Sequence, residues 1–311
     1  MERSQNLLRA NGRTGMIVPL SLGFSMDFDS CRRLLFAKYN CNGFSAFARI
    51  PAALFAAEVR VRNVIHIGSK TGNPSSHTSR LHRWFEVYRP HLFDAIEYSL
   101  FSPKAWQYLV PKINTANLCA AFEKLLNGGH TLESSFSRVM TRYDLHFKGA
   151  AYNWLTFCRK EPPCYDENGK AVAHGNFHTL YFRTKDEQEL ASLLLNGKLI
   201  FIYWCIVGDD LNVPRRAFAS FPANLRDLTG QLHDKLASVI PELEKVMLQN
   251  ASFKLNAGKR VGNYNLAKCR TVTDKSDLII ASLLGFSEVW EDLDLYYTQV
   301  VRTDFSEDDG E

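Results

Sequence analysis

Hydrophobic positions in this chain come in short runs whose period switches between two and about three and a half. That pattern predicts strands and helices mixed along one polypeptide. Met1–Ala10 has a helical composition and stops at Asn11-Gly12, a C-terminal cap signal. Gly15–Leu20 is an apolar run of strand length. Ser25 or Asp27 can cap a helix from about Phe28 to Lys38, in which Cys31, Leu34, Leu35 and Tyr39 fall near helical spacing. After a turn at Asn40–Gly43, Phe44–Ile50 alternates as a strand. Val59–Ile67 alternates again, with Val59, Val61, Ile65 and Ile67 on one face. Three strands and one helix make a fragment of an α/β sheet, because an open parallel sheet normally needs more strands and helices on both faces.

The run Thr71–Ser79 (TGNPSSHTS) is rich in turn formers and predicts a domain boundary near residue 75. Beyond it, Ser79–Tyr98 reads as an amphipathic helix interrupted at Pro90, and Thr115–Asn127 as a second helix. Asn176–Arg183 reads as a strand and Asp186–Leu195 as a helix, while Leu199–Val207 fits a buried strand or a buried helix equally. The longest helical stretch runs from about Ala223 to Asn250. It carries Leu225, Leu228, Leu232, Leu236 and Val239 on one stripe, and Pro241 is expected to kink or split it. A last helix spans Lys275–Leu284 and ends at Gly285. The expected organisation is a partial α/β sheet over 1–75, a mixed α+β domain over 76–305 and an acidic tail over 306–311.

Composition narrows the class. The 311 residues are 46% hydrophobic, ample for a packed core. No apolar run approaches the roughly 20 residues of a membrane-spanning helix. The opening MERSQNLLRANGR has no apolar stretch after its charges, so a cytoplasmic protein is expected. Cys31, Cys41, Cys119, Cys158, Cys164, Cys205 and Cys269 are odd in number and never spaced CxxC, which argues against a zinc site or a disulfide framework. Among the histidines only His174 and His178 are spaced HxxxH, and they fall at the start of the run read as a strand, where that spacing does not put two ligands on one helical face. Asp209-Asp210 and Asp292/Asp294 lack a neighbouring Glu/Gln-x-Lys and read as solvated surface acids, so no metal is implied.

The net charge of +4 understates the body of the protein, because Asp304, Glu307, Asp308, Asp309 and Glu311 gather at the end. Lys254–Arg270 is the densest basic segment: Lys254, Lys259, Arg260, Lys268 and Arg270 interleave with Asn256, Asn263, Tyr264 and Asn265. Lys and Arg suit phosphate contacts, and Asn and Arg suit base edges. The segment reads as a DNA-contacting loop or as a solvated basic one. Arg215 and Arg216 form a smaller set, which Asp209 and Asp210 can instead hold as ion pairs. Lys148 with Tyr152-Asn153-Trp154 is a third. Arg60 and Arg62 share one face of the last amino-terminal strand, turned to phosphate, to solvent or to the missing half of the sheet.

Several of these runs resemble one family. GRTGMIVPLS resembles the fifth-strand motif of DNA adenine-N6 methyltransferases, and IPAALFAAEVRVRNVIHI resembles the antiparallel hairpin that closes their sheet. GAAYNWLTF at Gly149–Phe157, the stretch Leu195–Pro222 and GNYNLAKCR at Gly262–Arg270 resemble the recognition domains of type II restriction-modification enzymes. The resemblance spans nearly the whole chain. It implies a partial Rossmann-like methyltransferase sheet, closing strands only, followed by a mixed α+β target recognition domain.

It also implies double-stranded DNA as partner, with contacts from Arg60, Arg62, Arg215, Arg216, Lys254, Lys259, Arg260, Asn263, Tyr264, Asn265, Lys268 and Arg270. Phe55 takes the place beside an extruded adenine, although a core phenylalanine packing the hairpin with Phe44 and Phe47 would explain it equally. Two family elements are missing. There is no glycine-rich turn to hold S-adenosylmethionine and no Asn/Asp-Pro-Pro-aromatic tetrapeptide: Asn73-Pro74 is followed by Ser75-Ser76, and Glu161-Pro162-Pro163-Cys164 lacks both the amide and the aromatic. Hence no catalytic residue and no cofactor are expected on this chain alone. S-adenosylmethionine is expected only if a separate polypeptide supplies the N-terminal half. The alternatives are a non-catalytic specificity subunit, a decayed remnant or a protein-interaction scaffold.

Overall fold

A computed structural model describes residues 2–55 and 61–301. They form two compact units, one of residues 2–55, 61–127 and 205–210 and the other of 128–204 and 211–301. The division therefore falls after Asn127, not near residue 75. The turn-forming run at Thr71–Ser79 instead carries the chain from one strand of the first unit's sheet into the next.

The first unit opens with helix α1 (Glu2–Leu7), strand β1 (Arg13–Pro19), helix α2 (Asp29–Lys38) and strands β2 (Cys41–Phe47), β3 (Asn63–Ser69), β4 (Ser75–His82) and β5 (Ser99–Leu100). Helix α3 (Ala116–Leu126) follows. The sheet order is β1-β3-β2-β4-β5. Strand β3 is antiparallel to both β1 and β2, so β1 and β2 run parallel with α2 between them in sequence. Strand β4 adds parallel to β2, and β5 antiparallel to β4. Among the described residues the outer edge of β1 carries no further strand.

Period-two patterning decides which face is buried. Phe44 and Ala46 of β2 lie opposite His66 and Val64 of β3, and all four are buried. From α2, Phe36 contacts Phe44 and Tyr39 contacts His66, so the helix covers this face. Gly68 permits the approach, because a Cβ there would lie 2.8 Å from the Tyr39 ring. Asp29 in the first turn and Lys38 in the last suit the helix dipole. Burial pushes His66 down to about 4, and the ring pairs with Asn42 Oδ1 at 3.0 Å.

Two expectations for this unit change. The helix expected over Ser79–Tyr98 is the end of β4 followed by a 3-10 segment at Glu86–His91, because Ser76, Thr78, Leu81 and His82 are buried by sheet pairing. Strand β3 begins at Asn63 instead of Val59; Arg62 immediately precedes it, and Arg60 lies outside the described residues.

The second unit contains β6 (Asp144–Lys148), β7 (Phe157–Cys158), β8 (Cys164–Tyr165), β9 (Phe177–Tyr181), α4 (Lys185–Asn196), α5 (Lys198–Val207) and α6 (Arg215–Ala219). It continues with α7 (Leu225–Leu236), α8 (Val239–Gln249), β10 (Ala251–Asn256), β11 (Lys259–Tyr264), α9 (Arg270–Leu283) and α10 (Trp290–Val300). The last residues of α5, from Cys205, belong with the first unit. One antiparallel sheet has the order β7-β6-β9, the other β10-β11-β8.

Helix α4 is capped by Thr184, whose hydroxyl accepts from Glu187 N, and it packs on α7, α8 and α9. The ambiguous run Leu199–Val207 is helical and buried. It follows Gly197, where a Cβ would lie 2.0 Å from Asp277 Oδ1. The long helix expected over Ala223–Asn250 breaks at Ala237-Ser238, which leaves Pro241 in the first turn of α8, where its missing N–H costs nothing. Helix α9 starts at Arg270, five residues before its expected start at Lys275, and the tail 306–311 lies outside the described residues. No single helix among the described residues is long and apolar enough to cross a membrane.

Candidate nucleic-acid interface

The basic segment expected as a loop is a β-ribbon. Strands β10 and β11 pair from Ala251↔Tyr264 to Asn256↔Lys259, which leaves Ala257-Gly258 as a two-residue turn. Their φ values of +50° and +79° are those of a type I′ turn, whose twist matches the strands it joins. Gly258 adopts that conformation freely, whereas Ala257 adopts it at some steric cost. All six residues of β10 are exposed. The base of the ribbon is anchored where Gly262 N donates to Pro163 O at 2.9 Å. A Cβ at Gly262 would fall 2.4 Å from that oxygen, so glycine is needed for the approach.

Register sorts the ribbon into two unlike faces. Ser252, Lys254 and Asn256 share one with Asn263, Val261 and Lys259. Phe253 and Leu255 share the other with Gly262 and Arg260, and Tyr165 joins them opposite Arg260. The Arg260 guanidinium lies 5.2 Å from the Phe253 ring centre, and the Tyr165 ring lies 6.0 Å from it. Lys148 of β6 adds charge to the first face: its Nζ donates to Asn263 Oδ1, and burial, then Lys254, push its pKa down. None of Lys254, Lys259 and Arg260 makes an ion pair with a carboxylate among the described residues. Lys254 and Lys259 thus share one exposed face and Arg260 lies on the other, while the Glu167 carboxylate stands near the turn, 3.9 Å from where a Cβ on Gly258 would lie.

The other candidates of the second unit fare differently. Tyr264 is buried, with its hydroxyl donating to Lys160 O at 3.2 Å. Asn265 accepts from Ala267 N and caps the turn before α9. Lys268 is exposed on that turn. Arg270 donates to Tyr297 Oη at 2.9 Å and to Asn196 O at 3.3 Å, so its charge serves packing. Arg215 forks onto Glu133 at 2.7 and 3.1 Å. Arg216 is exposed.

In the first unit, Arg62 faces Asp209 at 3.9 Å with 16% of its side chain exposed. Burial lowers its pKa while Asp209 and Asp210 oppose that shift. Asp210, expected on the surface, is buried against Arg83, and Asp294 of the second unit holds Lys198 at 2.7 Å. Neither aspartate is a merely solvated acid. Phe55 is 43% exposed in the segment that leaves the carboxyl end of β2. The local core beside it is filled by Phe47, Ala52, Trp84 and Leu92 with Leu54 against them, which leaves Phe55 half open.

Two further features of the second unit lay outside the expected set. Phe157, Cys158, Ser192, Asn196, Leu243, Met247, Leu248 and Tyr264 line a cleft of about 120 Å³, with Arg159, Lys160 and Glu244 also on its walls. Burial pushes the Cys158 thiol up to about 12, which suits packing and not nucleophilic attack. Asp186, Glu189 and His233 bring candidate ligand atoms within 4.8 Å of one another. Glu189 already receives Arg159 at 3.0 Å, Lys185 at 3.2 Å and His233 at 3.0 Å, so the group is a compensated ion network.

Against models of known protein families and against curated proteins, the chain finds no match.

Proposed function

We propose that this chain binds double-stranded DNA through the β10–β11 ribbon, as the target-recognition and base-pocket part of a site-specific DNA adenine-N6 methyltransferase. The observation that carries the reading is the exposed charge of Lys254, Lys259 and Arg260, none in an ion pair with a carboxylate among the described residues, on a two-stranded ribbon beside Lys148. Such a ribbon fits the width of a duplex groove, and cations not tied up in ion pairs keep their charge for phosphate. Asn256, exposed near the tip, offers an amide to a base edge.

The first unit's topology supports the methyltransferase part. A strand inserted antiparallel between two parallel, helix-linked strands is the closing arrangement the resemblance implies, and the outer edge of β1 is where the sheet would continue. Phe55, half exposed beyond the carboxyl end of β2, offers a stacking surface for an extruded base. S-adenosylmethionine does not fit these residues. The segment after β1 is Leu20-Ser21-Leu22-Gly23, a 3-10 turn with a single glycine, and neither unit supplies a glycine-rich cradle. No step is therefore routed through it on this chain.

The test is duplex binding across a salt series, followed by a methylation assay on mixing with a polypeptide carrying the N-terminal half. Binding is expected to weaken with salt at a slope of about −0.9 per phosphate contact. Methylation is expected only in the mixture. Binding without methylation in any mixture would leave a specificity subunit, which the missing cradle favours. No affinity at about 50 mM salt would leave a protein-interaction scaffold.

A further inference from the structure

The ribbon's second face is unlike anything a purely phosphate-gripping hairpin requires. Leu255 stands next to the turn with 76% of its surface exposed, and Phe253, two residues behind it on the same face, is 41% exposed. Cations flank Leu255: Arg260 lies directly across the ladder, while Lys254 and Lys259 lie on the reverse face. An apolar side chain framed this way complements a polyanion whose apolar interior is reached between charged rails. Duplex DNA has that construction, since base-pair steps open toward a groove lined by phosphates.

From this arrangement we infer that Leu255 is a wedge that inserts between base pairs and kinks the DNA held by the ribbon. The inference rests on the DNA-binding reading above and adds a deformation to it. Arg260, held over Phe253, is positioned to meet a phosphate beside the opened step. Lys254 and Lys259 hold the ribbon in register. Phe253, backed by Tyr165, supports the wedge from below.

The test uses the full chain with a duplex carrying 2-aminopurine at successive positions and a fluorophore at each end. Saturated wild-type complex is expected to brighten 2-aminopurine at one step and to shorten the end-to-end distance by a bend of about 20–90°. Leu255→Ser touches no core residue. It is expected to retain binding and its salt dependence while both signals return to the free-duplex level. Lys254→Ala with Lys259→Ala is expected to need more protein for saturation and then to show both signals. A saturated wild-type complex with neither signal overturns the wedge and leaves the DNA-binding reading standing, as does a Leu255→Ser complex with both signals intact. Absence of binding at about 50 mM salt overturns both and assigns the apolar face to a protein partner.

Discussion

Two groups of cations in the second unit lie close in sequence and end in opposite circumstances. Lys254, Lys259 and Arg260 stand on an exposed ribbon with no carboxylate paired to them among the described residues. Arg270, ten residues further on, is folded against Tyr297 and the end of α4, beside Lys198. There Asp274 and Asp294 neutralise Lys198 at 3.2 and 2.7 Å, and Asp277 accepts from its backbone N at 2.9 Å. The difference lies in the acids each group meets, not in the cations. A basic side chain supplied with acids becomes part of the scaffold; one left without them keeps its charge for something outside the molecule.

Substitution can break this contrast in a graded way. The largest effect is expected from Lys254→Ala, Lys259→Ala and Arg260→Ala together. They should lower duplex affinity about 100-fold at moderate salt and flatten the salt slope by about 2.7, with unfolding free energy changed by less than about 0.5 kcal/mol. Fluorescence anisotropy and urea denaturation on the same preparations check both halves. Next comes Arg270→Ala, which should cost about 2 kcal/mol of stability through lost charged hydrogen bonds while leaving the salt slope unchanged. Equal losses of stability in the two variants would erase the distinction.

A third probe titrates the compensated group. Burial pushes Asp277 up to about 7, opposed by the Lys198 backbone N–H. A raised acid holds its proton longer in the folded state than in the unfolded chain. It therefore removes stability progressively as pH rises from about 4 to about 7, and no further above that. Asp277→Asn should flatten that part of the pH–stability curve, measured by chemical denaturation at about pH 4.5 and 6 within the window and about pH 8 above it. A variant curve parallel to wild type would refute the assignment. The smallest effect belongs to Arg215→Ala: its fork onto Glu133 is exposed on both sides, worth about 0–1 kcal/mol, and the salt slope should not move.

Much of the first unit was legible residue by residue. The run Gly15–Leu20 and the helix near Phe28–Lys38 became elements close to their expected bounds, because local period and turn chemistry agree there, whereas the strand expected at Phe44–Ile50 runs Cys41–Phe47, through most of the turn expected at Asn40–Gly43. Ser79–His82 was misread as helix because its strand identity comes from the pairing of Leu81 and His82 with Ala46 and Phe47, more than thirty residues away. The ribbon's cations were legible from composition. Its two faces were not, since register depends on the turn at Ala257-Gly258 and on the anchor at Pro163. Leu255 and Phe253 escaped notice for the same reason: in a basic segment an occasional apolar residue reads as ordinary core.

The sequence by itself determined the mixed α/β character, the absence of a CxxC pair and the concentration of charge near the carboxyl end, because these follow from period, residue type and spacing. Only the tertiary structure decided which arginines and lysines have counter-charges. Asp210 meets Arg83, Asp294 meets Lys198 and Glu133 meets Arg215 across separations of 127, 96 and 82 residues. Coulomb energy depends on distance in space and on local burial, and neither quantity is written in the order of residues along the chain.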